Sequence, residues 1–433
     1  MANSRGYNFT IILILAISYF LIAVECHRGL ATPPANTDIE VFVITNFGAK
    51  GDGKPIYANG ESMNGIAMMK AWQKACHCSN GPSKVVVPPG TFVAAEVIFA
   101  GPCKNHVTIE LQGNVIADSD ISQFPNKEFI VFQDVDRATF TGQGTIDVSS
   151  QAKKFSHSNY KDVDFSSIMP SIKFYKAKNM AVEGIRSVNP AAYHVLIVES
   201  ECITIENVKF EATSVESNTN SNGIYISASS KVNVSNSYIK TSDDCVTVAP
   251  GSTDISITGI TCVAGQGISI GSRPYTTSLD VSGVLVKGCS FKGSAFGVRI
   301  IPRLEFKASL ISNIKVEDLI MEGVQNPIVI DQVQSIPILN KLIQAKIEGV
   351  FFKNIRGTTT TKNAISFSCC PKNPCEGINV VDIDLSLDAK LNANLNLVDK
   401  TLPAKGLNFL VNCLNAKVNF GGKHDGLSCG ILP

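Results

Sequence analysis

Two adjacent carboxylates, Asp243 and Asp244, stand in a loop of small residues, Thr241-Ser242-Asp243-Asp244-Cys245. A crowded carboxylate pair can divide acid–base work, because like-charge repulsion holds one member protonated toward neutral pH. Inverting glycoside hydrolysis uses an acid and a base roughly 6.5–9.5 Å apart, with room between them for a water. The other reading of such a dipeptide is a pair of turn aspartates accepting backbone N–H groups. Spacing adds a second observation. Apolar runs start at Ile224, Val246 and Ile268, 22 residues apart twice over, and two positions before each start stand Asn222, Asp244 and Gln266. A coil that returns to the same place each turn stacks these three side chains at the strand spacing of roughly 4.8 Å, with Asp243 beside the middle one.

The elements that must hold such a ladder recur along the chain. Apolar runs start near Ile172, Val195, Ile224, Val246, Ile268, Val298 and Ile328, in steps of 23, 29, 22, 22, 30 and 30 residues. Between them lie second runs such as Ile203-Thr204-Ile205, Val232-Asn233-Val234 and Ile255-Ser256-Ile257, each followed by Asn, Ser or Gly and a third run. Three short strands per turn, rich in β-branched residues and joined by small polar corners, predict an all-β fold, a right-handed parallel β-helix. A β-sandwich would show Asn-Gly hairpin turns at strand spacing. The Asn-Gly pairs, at Asn59, Asn64, Asn80 and Asn222, do not follow that pattern, and the last opens a coil. Asn64 to Cys76 has helical spacing through Ile66, Met69 and Trp72. It is expected to cap the open N-terminal end of the coil, with Trp72 packed rather than stacked on a sugar. After Ile330 the period blurs, and Cys369 to Cys375 and Leu407 to Cys429 read as the closing turns and a disulfide-pinned tail. Residues 41–433 are taken as one β-helix domain.

Hydrophobic residues make up 44% of the 433, charged residues only 17%, and the formal net charge is +1. That balance argues against broad electrostatic binding to nucleic acid or membrane. Residues 1–26 read as a cleaved secretory signal: Arg5, then the apolar run Phe9–Val24, then small residues around Val24-Glu25-Cys26. Residues 27–40 read as a flexible lead. The apolar run is shorter than the ~20 residues of a spanning helix, so no membrane attachment is expected after cleavage. The chain has thirteen cysteines, and removing Cys26 leaves an even dozen, as suits an oxidising compartment. Close spacings suggest Cys245 with Cys262, Cys413 with Cys429, Cys76 or Cys78 with Cys103, and Cys369 or Cys370 with Cys375. Neither Cys76-His77-Cys78 nor Cys369-Cys370 has the usual zinc spacing, so no metal or other cofactor is expected.

Ordered blocks of the chain resemble plant polygalacturonases, of glycoside hydrolase family 28. They are Phe47-Gly48-Ala49-Lys50-Gly51-Asp52-Gly53, Val87-Pro88-Pro89-Gly90-Thr91-Phe92, Gly101-Pro102-Cys103 and Thr241-Ser242-Asp243-Asp244-Cys245, then Gly265-Gln266-Gly267-Ile268-Ser269-Ile270-Gly271-Ser272, Val298-Arg299-Ile300-Ile301 and Gln325-Asn326-Pro327-Ile328-Val329-Ile330-Asp331-Gln332. The resemblance implies a secreted, monomeric protein directed at pectin, the 1,4-α-galacturonan of the cell wall. It implies Asp243 as general acid, water activated by the carboxylates of positions 222 and 244, and Arg299 on the substrate. Four positions depart from the family pattern. Asn222, Gln266, Ile301 and Gln334 stand where the family has Asp, His, Lys and Tyr. An amide orients water but does not take its proton, so the expectation is lost or strongly reduced hydrolysis. The alternative is an active polygalacturonase with Asp243 as acid and Asp244 as base. Arg303 shares strand parity with Arg299 and Ile301 and is the candidate replacement for the missing cation. A calcium-dependent pectate lyase would need six or more oxygen ligands, more than the aspartate pair supplies. His194 is read as structural.

Overall fold

The computed structural model describes residues 39–149, 169–212, 221–271, 280–302, 309–333, 345–388, 409–422 and 428–429. The expected signal and nearly all of the expected lead lie outside the described residues, as do Arg303 and Gln334. Within them the chain winds as a right-handed parallel β-helix, whose strands pair with their counterparts one turn away. One sheet collects the first strand of every turn, and a second sheet, carried round a corner, collects the second and third.

The register follows the apolar starts. Ile172, Val195, Ile224, Val246, Ile268, Val298, Ile328, Ile365 and Val411 are successive partners in one column. A second column runs through Ile203, Val232, Ile255, Val284, Ile314, Val350, Ile378 and Val418. Nearly all these side chains are buried in one continuous core. Burying each is worth about 1.5–3 kcal/mol, and a one-residue slip would turn every one of them outward. From Ser309–Val324 onward a single long strand runs through the corner and pairs with both the second and third strands of the turn before it. The first-sheet steps also lengthen beyond Ile328, to Ile365 and then to Val411, and this is why the period blurs in sequence.

The corners between second and third strands carry a left-handed residue in turn after turn: Gly184, Asn207, Asn236, Gly259, Gly288, Asp318, Asn354 and Asp382. Gly, Asn and Asp tolerate that conformation best, and this accounts for the small polar residues after each second run. Other corners are less legible, with Lys176, Glu199, Ala228 and Lys231 also at positive φ.

Helix α1, Met63–Gln73, covers the first turn by packing on strands Thr91–Ala94 and Val97–Ala100. Its buried face corrects the expected one. Ala67, Met68, Ala71 and Trp72 point inward, whereas Ile66 and Met69 are half-buried at its margin. The small alanines let the helix lie close to the coil, with Met68 and Trp72 turned inward beside them. Trp72 is a packing residue. Its Nε1–H donates to the Ala100 carbonyl at 2.9 Å and its ring contacts Phe99 at 5.0 Å.

Disulfides join Cys76–Cys103, Cys245–Cys262, Cys369–Cys375 and Cys413–Cys429. Cys78 and Cys370 are left as thiols, which resolves the two open pairings. The Cys413–Cys429 bond ties the tail to the last described turn, and no described helix is long and apolar enough to cross a membrane.

Candidate functional site

The site is assembled by two loops and the strand starts that follow them. The loop before Asn222 and the loop before Asp244 are knitted together. The Asp243 N–H donates to the Ser221 carbonyl at 3.0 Å, and the hydroxyls of Ser221 and Ser242 meet at 3.0 Å. One turn on, the Gln266 N–H donates to the Asp243 carbonyl at 2.9 Å. The Gly223 N–H reaches the Asp244 carbonyl at 2.8 Å, and the Cys245 N–H reaches the Gly267 carbonyl at 2.7 Å. Positions 222, 244 and 266 therefore stack as the 22-residue spacing requires. Glycine is obligatory beside two of them. A Cβ at Gly223 would lie 2.2 Å from the Cys245 carbonyl oxygen, and one at Gly267 would lie 2.2 Å from that of Phe296. The Cys245–Cys262 disulfide lies buried directly behind the pair.

The two aspartates have different surroundings. Asp244 is buried, and both its oxygens are occupied. Thr247 Oγ1 donates to Oδ2 at 2.8 Å, while Ser269 Oγ at 2.7 Å and Arg299 Nη2 at 2.9 Å both donate to Oδ1. Arg299 also donates through Nε to Ser269 Oγ at 2.6 Å, and its guanidinium lies over the Phe296 ring at 4.7 Å. Two of its five N–H donors are thus used inside the protein.

Asp243 keeps some exposure along one edge. Burial and then the Asp244 charge push its carboxyl up to about 7, against the opposing pull of Arg299, the Asp244 N–H and the Asn222 side chain, which hydrogen-bonds to it. A carboxyl so placed is protonated at weakly acidic pH, as a general acid must be.

Of the residues expected from sequence, Asn222, Asp243, Asp244, Gln266 and Arg299 gather here. Ile301 follows Arg299 by two positions, with its N–H bound to the Ile270 carbonyl at 2.8 Å. Sequence reading passed over Thr247, Ser269 and Phe296. The first two are single hydroxyl residues in otherwise apolar strands, Val246-Thr247-Val248 and Ile268-Ser269-Ile270, and they share the 22-residue step. Tyr225, Thr247, Ser269, Arg299 and Val329 form one outward column. Toward the N-terminal side this face becomes a buried apolar cluster of Tyr193, Leu196, Val198, Tyr225 and Ala249. His194 is structural. It is fully buried, hydrogen-bonded through Nδ1 to Ser187 Oγ at 2.8 Å and stacked on Phe210, and burial holds its pKa down at about 3. Among the described residues no cluster of His, Cys, Asp and Glu has the makings of a metal site.

Fold and site define a parallel β-helix protein with an aspartate pair and an arginine on the outer face of its first sheet. Residues 76–403 match the family model Glycosyl hydrolases family 28. The chain belongs to that family. It is 37% identical to an exopolygalacturonase from Arabidopsis thaliana, over 92% of this chain and 89% of the relative. It is 34% identical to an exopolygalacturonase from Platanus acerifolia, over 80% and 90% respectively. The fold matches the crystal structure of an exopolygalacturonase from Thermotoga maritima with a TM-score of 0.70 and 15% identity, covering 93% of this chain and 95% of that one.

Proposed function

We propose that this chain is a secreted, monomeric, cell-wall-directed member of its family that holds galacturonan in the cleft and hydrolyses it weakly or not at all. The carrying observation is that the described residues put a protonated acid, Asp243, beside a carboxylate whose oxygens are both engaged and an amide where the family has a second carboxylate. Asn222 is an amide already hydrogen-bonded to Asp243. Asp244 accepts from Thr247, Ser269 and Arg299, so both its oxygens are already engaged within the protein. Arg299 keeps donors for a sugar oxygen. The names of the relatives, together with the apolar cluster that closes one side of the outer face, support recognition of a chain end. Secretion is supported by the apolar leader and the disulfides.

The test is reducing-end release from polygalacturonate by the native protein, by an active relative, and by the triple variant Asn222→Asp, Gln266→His, Ile301→Lys. Loss of single well-placed catalytic groups costs roughly 10²–10⁴-fold, so native turnover should lie at least about 10²-fold below the relative's, and the triple variant should recover part of it. Native turnover equal to the relative's would overturn the reading. Retention on the polymer without turnover, removed by Arg299→Ala, would support it. A second reading, an active enzyme with Asp243 as acid and Asp244 as base, is favoured by the raised pKa of Asp243. Its signature is turnover that declines as pH rises past about 7, where the acid form disappears.

A further inference from the structure

Strand Ser230–Ser235 carries an asparagine that the fold does not use. Val232 and Val234, on either side of Asn233, are buried in the core, so Asn233 turns to the outer face of the second sheet, where it is half-buried. Its strand is internal, for Asn233 pairs with Thr204 on the turn before and with Ser256 on the turn after. Asparagine is depleted in strands, and other asparagines of the coil have tasks. Asn207 and Asn236 take left-handed corners, Asn179 and Asn354 donate to Asp136 and Asp318, and Asn419 donates to Asn379. Among the described residues the Asn233 amide has no hydrogen-bond partner. The side chains beside it across the sheet, Thr204 and Ser256, are short, and Lys231, two residues before it, is drawn to Glu201 at 3.1 Å. Asn233-Val234-Ser235 is also an Asn-X-Ser sequon, and the other sequon, Asn8-Phe9-Thr10, falls in the expected signal.

We propose that Asn233 is an N-glycosylation site, carrying an oligosaccharide on the outer face of the second sheet. This rests on the reading above that the chain is exported. The donor is a lipid-pyrophosphate-linked oligosaccharide. Asn233 Nδ2 forms a bond to the anomeric carbon of its first N-acetylglucosamine. The bond from that carbon to the pyrophosphate oxygen breaks, the lipid pyrophosphate leaves, and one amide proton is released. Ser235, whose hydroxyl the sequon requires, is buried in the finished strand, so the sequon is open to a transferase only before this turn folds. Folding must then leave the sugar in water, because buried hydroxyls without partners cost free energy. Asn233 meets that demand, since the period of two that sends Val232 and Val234 inward sends it outward. The sugar stands on a different sheet from the aspartate pair and leaves that face uncovered.

The experiment expresses the full chain in a eukaryotic secreting cell, once with its own residues 1–26 and once with an established secretion signal in their place, and recovers it from the secretory lumen and the medium. Peptide mass spectrometry should find a glycan on the peptide spanning residue 233 in the majority of molecules. Treatment with a peptide:N-glycanase, which turns a glycosylated asparagine into aspartate, should leave Asp at that position. Asn233→Gln should abolish the glycopeptide and migrate on a gel with the enzymatically deglycosylated native chain. Ser235→Ala should do the same with Asn233 still present; if that buried change prevents folding, Asn233→Gln, at an outward position, carries the comparison. Asn233 unmodified in the majority of chains that have entered the lumen overturns the site, whichever signal took them there. A glycan found only behind the substituted signal upholds the site and overturns the reading of residues 1–26 as a secretory signal.

Discussion

At the scale of single residues the cleft depends on how differently two neighbouring carboxyls are solvated. Asp244 sits among donors, whereas Asp243 is raised to about 7 by burial and by its neighbour's charge. A carboxyl raised in the folded state binds its proton more tightly there than in the unfolded chain, whose value is near 3.8. Its stabilisation is full below about 3.8 and is lost as pH rises through about 7. His194 acts oppositely. Held at about 3 against an ordinary 6.5, it loses stability as pH falls through that window. The two slopes offset each other in the native protein, so a variant is needed to expose either. In Asp243→Asn the Asp243 contribution vanishes. The difference in melting temperature, variant minus native, should therefore climb steadily from about pH 4 to about pH 7. A difference that stays flat across that range would show that Asp243 titrates like an exposed aspartate.

At the scale of elements, what was legible and what was not have separate causes. The columns of first and second strands could be read because each turn must present β-branched residues inward, and a parallel strand buried on its inner face leaves no tolerance in that pattern. The ladder of 222, 244 and 266 came with the register, since it is fixed by backbone spacing rather than by side-chain chemistry. The donors to Asp244 did not, because Thr247 and Ser269 read in sequence as ordinary strand residues until a partner is known to face them. The inward face of α1 was legible at Trp72 but not at Ala67 and Ala71, because alanines carry little apolar weight in a periodicity. The same backbone closeness gives a sharp prediction. Gly223→Ala would drive a Cβ into the Cys245 carbonyl and Ile239, prising apart the turns that align Asn222 with Asp244. The expected loss is roughly 3 kcal/mol, the upper end for overpacking, read as a lower denaturant midpoint at unchanged m. Gly81→Ala, where a Cβ meets nothing within 4 Å, is the control and should leave the midpoint in place.

At the scale of the whole molecule the two ends of the coil are unequal. Each turn touches only its neighbours, so an internal turn is held from both sides and a terminal one from a single side. The N-terminal end is closed by α1, with Trp72 driven against Phe99 and Phe132. At the other end the last described first-sheet strand, Leu410–Leu414, leaves Leu410 and Leu414 52% and 53% exposed, with the Cys413–Cys429 disulfide as its covalent tie. Opening should therefore begin at the C-terminal turn and run inward, reaching the cleft late, since Asn222–Ser227 lies between paired strands on both sides. Native-state hydrogen exchange makes this measurable. Amides of Leu410–Leu414 should exchange by local opening, at free energies well below the global value, whereas those of Asn222–Ser227 should exchange only with global unfolding. Cys413→Ser should lower protection in the last turn and leave the cleft strands unchanged. If cleft and C-terminal amides instead lost protection together in the native protein, the coil would be opening as one cooperative body.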